Sequence, residues 1–302
     1  MHRRESSFEL LRLVLMFLII IHHSIVHGMG LTGLVWDKTL PMHFSEWEKP
    51  VATIVNCMCI CAVNCFVLIS GYFSIKFNIK KLISLLITVV IYTFCLCTVY
   101  NLAIGNIKGA ISRMMIFSHP TYWFVNTYIY LTVFAPLINL MFEKMSKRFQ
   151  IFFIVSLLFI SCYLGFIWLN PLNPNGYNLI QFILMYSIGR FICYYPLRIS
   201  KIASFILYLV PSVITGVFMF LLWQTGHLGR SWQMTGYNNP LIMLAAIGLF
   251  MFFSKIRFKS NMINKWASSA FAIYMVQSSL LSNVLYYKLI NWLHIEMGGV
   301  YG

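Results

Sequence analysis

Apolar runs long enough to cross a bilayer recur from one end of the chain to the other, separated by short polar turns. About twenty apolar residues suffice for one helical crossing. Nine runs are predicted: 8–28, 51–73, 82–104, 122–142, 150–169, 178–197, 202–223, 240–254 and 266–290. A helix satisfies its own backbone hydrogen bonds, which lipid cannot do for it. The predicted class is therefore an all-α, polytopic transmembrane bundle, one domain over residues 1–302. No convincing internal repeat interrupts the pattern.

The polar turns are not equivalent. With the N-terminus placed inside, fourteen Lys and Arg fall in inner segments and six in outer ones, counting Lys288 at the outer end of the last run, while Arg12 and Arg190 sit within runs. Cytoplasmic loops carry the excess of Lys and Arg, so the expected N-terminus is cytoplasmic and the expected C-terminus external. The formal charge of +15 then comes from short basic loops, and nucleic-acid binding is not expected.

The first run, FELLRLVLMFLIIIHHSIVHG, departs from a plain membrane helix by holding Glu9, Arg12, His22, His23 and His27. At about 100° per residue, His23 lies about 20° around the helix from Arg12, with Glu9 and His27 within about 40° of His23. Four polar groups share one stripe, and His22 is expected to point about 100° away. A rise of about 1.5 Å per residue separates Arg12 from His23 by about 16 Å. A snorkelling Arg12 and a His23 bonded to a neighbouring helix would explain each residue singly. They do not explain four ionisable groups on one stripe, because such groups are costly in lipid and mark function. The stripe is the candidate site.

Other features add less. The basic start and apolar run resemble a signal peptide, but the run is long and no small-residue cleavage site follows it, so a retained helix is expected. All eight cysteines lie inside predicted spans. The spacing of two in Cys57, Cys59 and Cys61 turns successive thiols about 200° apart on a helix. Neither a metal site nor a disulfide framework is expected from them.

Several blocks, in order, resemble the acyltransferase 3 family of bacterial inner-membrane acyltransferases, which modify cell-surface polysaccharides. FELLRLVLMFLIIIHH is similar to the family's arginine, ten residues, histidine pattern through Arg12 and His23. HHSIVHG, with His27, looks like a subgroup associated with exopolysaccharide or capsule acetylation. VNCFVLISGYF, YWFVNTYIYLTVFAPLIN, MYSIGRFI, YNNPLIMLAAIGLFMFF and SSAFAIYMVQSS resemble later blocks. The departures are specific. A late block that commonly ends in histidine ends here in Gln277, and the turn after the second run carries lysines where arginines are common. The family usually has about ten spans, so a final one is expected to be missing.

The resemblance implies transfer of an acetyl or similar acyl group from a coenzyme A thioester to a sugar hydroxyl. Acetyl-CoA would be a donor substrate, with no permanently bound cofactor. The residues fit this chemistry. A hydroxyl needs a base to become a good nucleophile, and His23 is the candidate general base. Glu9, on the same stripe, is grouped with it as a catalytic candidate. Arg12 is expected to meet the coenzyme A phosphates or to pair with Glu9. Lys76, Lys80 and Lys81 are candidates for the same phosphates or ordinary topology lysines. His27 and Trp123 are candidates for the acceptor side, and Asn126 for a donor to the developing oxyanion. Trp36, Trp47, Trp232 and Tyr237 are outer aromatics that either stack on sugars or mark the interface.

The expected partners are acetyl-CoA, a polysaccharide or lipid-linked sugar acceptor and the bilayer. The expected location is the bacterial cytoplasmic membrane, multi-pass. A transporter or flippase of lipid-linked sugars is the rival class. It would need a repeat and a polar path through several helices, whereas the charges here gather on one.

Overall fold

The computed structural model describes residues 5–32, 35–36, 47–106, 108–109, 112, 117 and 122–301. Among them, six helices are long and apolar enough to cross a membrane: Ser6–Gly28, Glu48–Phe73, Ile79–Leu102, Trp123–Lys144, Lys147–Ile167 and Lys201–Gln224. Leu179–Tyr194 and Pro240–Ser254 are shorter apolar helices. The protein is a polytopic helical membrane bundle. Among the described residues the strands form a two-residue ribbon pairing Leu31–Thr32 with Val35–Trp36, inside a segment expected to be a loop.

The elements are α1 (Ser6–His23), α2 (Glu48–Ile60), α3 (Ala62–Phe73), α4 (Ile79–Tyr92), α5 (Val99–Ala103) and α6 (Trp123–Lys144). Then follow α7 (Lys147–Leu158), α8 (Leu179–Tyr194), α9 (Lys201–Gln224), α10 (Leu228–Gln233) and α11 (Pro240–Ser254). The chain finishes with α12 (Asn261–Ala267), α13 (Ala270–Gln277) and α14 (Leu280–Tyr301). Helices α1, α4 and α7 each continue in a wider turn: Ser24–Gly28, Thr93–Thr98 and Phe159–Ile167. In the first, the Met29 amide reaches back five residues to the Ser24 carbonyl at 3.0 Å.

Contacts between the ends fix an alternating path. Trp123, Tyr177 and Tyr237, at or just before the starts of α6, α8 and α11, have their ring centroids 4.6 to 5.4 Å apart. At the other end Phe8 stacks on Tyr72 and meets Phe73 edge-on, and the Ser260 amide donates to Ser6 Oγ at 3.0 Å. The ammonium of Lys147 lies over the Tyr195 ring at 4.6 Å, bringing the start of α7 to the end of α8. These pairings fit up-and-down crossings joined by short turns.

The ninth run is not the continuous helix 266–290 that its apolarity suggests. It breaks after Ala267 and again after Gln277, giving α12, α13 and α14. Serines stand at both breaks, Ser268–Ser269 and Ser278–Ser279, and their hydroxyls offer the backbone alternatives to helix. Ser268 Oγ donates to the Lys265 carbonyl, and Ser282 Oγ to the Gln277 carbonyl at 2.7 Å. The path still climbs in step with α1. The Ser6–Ser260 and His23–Gln277 bonds both join residues 254 apart. The last helix runs on to Tyr301, past the expected end of the run at 290.

Close packing of α3 on α8 anchors one side of the bundle. A Cβ on Gly71 would overlap the Tyr186 carbonyl, and one on Gly189 the Leu68 carbonyl. Two backbones meet where two side chains are missing, the usual route to tight helix contact in lipid. Gly71→Leu is expected to force these helices apart at a cost of roughly 1–3 kcal/mol or more. Thermal unfolding in detergent should show a lower melting temperature than wild type, and an unchanged one would contradict this packing.

Candidate functional site

Helix α1 touches α2, α3, α11, α12 and α13, and its wide last turn packs on α14. Its apolar positions Phe8, Leu11, Leu15, Met16 and Ile19 are buried. Its polar stripe borders a cavity of about 640 Å³. Glu9, Arg12, His23 and His27 all line this cavity. The opposite walls come from α3, α6 and α13, through residues such as Phe66, Ser70, Trp123, Tyr128 and Tyr274.

At one end the Arg12 guanidinium donates to the Glu9 carboxylate at 2.6 Å. The Glu9 side chain is nearly buried and that of Arg12 about one-third exposed. In a poorly solvated setting each charge is tolerable because of the other. Glu9 therefore serves Arg12 rather than touching an imidazole. The turn carrying Lys76, Lys80 and Lys81 lies at this same end, since Phe8 packs on Phe73 just before it. The three lysines are exposed and do not contribute to the lining.

At the other end stand three imidazoles. The ring centroids of His22 and His23 are 5.3 Å apart, and those of His23 and His27 5.4 Å. His23 Nδ1 donates to Gln277 Oε1 at 2.6 Å, and Tyr286 OH donates to the same oxygen at 3.2 Å. His22 Nδ1 donates to Asn56 Oδ1 at 2.7 Å. The expectation that His22 points away from the site is corrected: it also lines the cavity. A rotation of about 100° moves it from the α13 side of α1 to the α2 side, and the cavity reaches both. Among the described residues no group of three His, Cys, Asp or Glu is arranged to hold a metal ion.

The upper wall is aromatic and pinned by amides. Trp123 stacks on Tyr237 with centroids 5.4 Å apart and meets Tyr177 at 4.6 Å. The Tyr237 carbonyl accepts from Asn64 Nδ2 and from Gln181 Nε2, both at 2.8 Å. Burial pushes the Tyr237 hydroxyl well above its ordinary pKa, so it stays protonated. Tyr122 OH donates to the Met275 carbonyl at 3.0 Å, tying the start of α6 to α13. Asn126 is buried at 6% exposure and is not part of the lining. Trp47 is exposed and Trp232 half-buried; neither lines the cavity. The side chain of Trp36 lies outside the described residues.

Sequence reasoning left out Asn56, Asn64, Gln181 and Tyr286, and met Gln277 only as a departure. The first three carried a readable signal, because an amide inside an apolar run needs a partner. Tyr286 carried none. The cysteines behave as packing residues: Cys57, Cys61 and Cys65 are fully buried and free, and Cys59 forms part of the cavity wall.

A family model described as an acyltransferase domain matches residues 5–300. Among curated proteins and among solved structures nothing matches.

The amide clasp under Tyr237 yields a direct expectation. Asn64→Leu removes one of two donors from a buried carbonyl and one of the two acceptors that Gln181 Nε2 reaches. The expected loss is about 1–3 kcal/mol, read as a lower melting temperature in detergent, with a Trp123 fluorescence change reporting the loosened wall. An unaltered melt would show that the clasp does not hold the wall.

Proposed function

This chain belongs to the acyltransferase 3 family, and we propose that it moves an acetyl or similar short acyl group from a coenzyme A thioester to a sugar hydroxyl. The acceptor would be a cell-surface or lipid-linked polysaccharide, and the setting the bacterial cytoplasmic membrane. One observation carries the reading. A single cavity joins a paired cation, Arg12, to a cluster of imidazoles, with His23 roughly 16 Å further along α1 by helical rise.

The donor enters from the Arg12 end, which the excess of inner Lys and Arg assigns to the cytoplasm. Arg12, with Glu9 holding its planar fork in one orientation, meets a phosphate of the coenzyme. Lys76, Lys80 and Lys81 supply positive potential at the mouth without touching the wall. The pantetheine arm runs along Met16, Ile19, Val63 and Phe66, an apolar stretch of the lining. The thioester then lies beside His23 while the nucleotide stays at the entrance.

The acceptor comes from the other end, where Trp123 and Tyr237 offer ring faces to a sugar and His27 a hydrogen bond. Nε2 of His23 takes the proton from the sugar hydroxyl as its oxygen attacks the thioester carbonyl carbon. The tetrahedral intermediate collapses with cleavage of the carbon–sulfur bond. The leaving thiolate takes the proton back from the imidazolium, giving the O-acyl sugar and free coenzyme A. His23 holds this role over His22 because it sits between the other two rings and is tied to α13.

With purified protein and labelled acetyl-CoA, label is expected to appear in an added polysaccharide acceptor or, in its absence, as slow thioester hydrolysis. His23→Ala should lower the transfer rate by on the order of a hundred- to ten-thousand-fold while acetyl-CoA still binds. His22→Ala should keep most of the activity. Arg12→Ala should weaken acetyl-CoA binding in calorimetry, and Arg12→Lys should restore it only in part. Wild-type protein with no turnover of acetyl-CoA, or His23→Ala with full activity, would overturn the reading.

A further inference from the structure

Gln277 ends α13 at the second break of the ninth crossing and is buried at 6% exposure. Its amide is fully oriented by its neighbours. Nε2 donates to Ser278 Oγ at 2.7 Å. Oε1 receives Tyr286 OH at 3.2 Å and faces His23 Nδ1 at 2.6 Å. An amide oxygen carries no hydrogen, so the short contact to Nδ1 requires the proton to be on Nδ1. A neutral imidazole holds one proton, and Nε2 is left with its lone pair.

The surroundings hold this arrangement from several sides. Ser282 Oγ donates to the Gln277 backbone carbonyl at 2.7 Å, closing the break in which the side chain sits. Tyr122 OH holds the Met275 carbonyl two residues earlier. Gly28, one turn beyond His23, lies against Ile290 and the Tyr286 carbonyl, where a Cβ on it would crowd both. The break therefore has a consequence: an unbroken helix through 278–279 would not place Tyr286 and Gln277 on the same imidazole.

We propose that Gln277 is a positioning residue that fixes the Nδ1–H tautomer of His23 and so leaves Nε2 as the base, with Tyr286 holding the amide oxygen in place. The proposal deepens the acyl-transfer reading and rests on it only for the rate consequence. Partners that orient metal-bound imidazoles are commonly worth about ten- to a hundredfold in activity, and a loss of that order on kcat is expected here. The KM for acetyl-CoA, set at the Arg12 end, stays within about twofold by the same separation.

The test uses full-length protein in nanodiscs with ¹⁵N-labelled histidine, the His23 signals being identified by their loss in His23→Asn. Wild type is expected to show a protonated Nδ1 and an unprotonated Nε2. Gln277→Leu should convert His23 to a mixture of tautomers or to the Nε2–H form and lower kcat about ten- to a hundredfold. Gln277→His returns a lone pair to the position and should recover both signals and rate. Tyr286→Phe should give a smaller change of the same kind. Asn56→Leu, at the neighbouring His22, should leave the His23 tautomer unaltered. Retained acetyl-CoA binding in Gln277→Leu shows that the variant is folded. An unprotonated Nδ1 in wild type, or a Gln277→Leu variant with the wild-type tautomer and kcat, overturns the proposal. Wild-type protein that shows the Nδ1–H tautomer but no acyl transfer overturns the acyl-transfer reading instead.

Discussion

An ionisable group held among membrane helices must be given a partner there, because lipid offers none. That constraint falls on α1 more than on any other helix, since it holds Glu9, Arg12, His22, His23 and His27. Each of these for which a bond is described is answered in a different way. Arg12 is answered within its own helix, by Glu9 three residues earlier. His22 is answered from α2 by Asn56, and His23 from the ninth crossing by Gln277. The polar side chains of α1 are thus met from its own helix, from α2 and from the ninth crossing.

The same constraint explains a helix that breaks where apolarity alone predicts continuity. The ninth crossing follows α1 in step, with bonds at both ends offset by 254 residues. It breaks at two serine pairs, one between those anchors and one just past the second. The second break turns a backbone end and an amide side chain toward His23, and brings Tyr286 to the same place. Serine hydroxyls make up for part of the lost backbone pairing, as they do where helices bend in membranes. Polar atoms are thereby delivered to the imidazole end of the cavity.

How much of this was legible depends on the range of the interaction. The crossings were readable because apolar runs and basic turns are local signals, and the helices from Glu48 to Ser254 lie within a few residues of where those signals put them. The stripe was readable because helical period is local too, and it brought Glu9, Arg12, His23 and His27 to one cavity. His22 was misjudged because the width of a cavity depends on neighbours, not on the period of one helix. The breaks at Ser268–Ser269 and Ser278–Ser279 were hidden by an apolar background that reads as continuous helix. Gln277 and Tyr286 could not have been placed against His23, since nothing local in residues 277–286 points to residue 23. Asn126 looked like a donor into the site by its position after Trp123, and its burial outside the lining depends on the rotation of α6 against α8.

The central claim is that one chamber carries the donor from the Arg12 end to the imidazole end. It is tested most directly by determining the structure with a non-hydrolysable acetyl-CoA analogue bound. The account predicts coenzyme phosphates near Arg12, the pantetheine arm along Met16 and Phe66, and the acyl carbonyl within about 4 Å of His23, the distance of ordinary van der Waals contact. Phosphates bound at the His27 end, or an analogue seated outside the chamber, would contradict it.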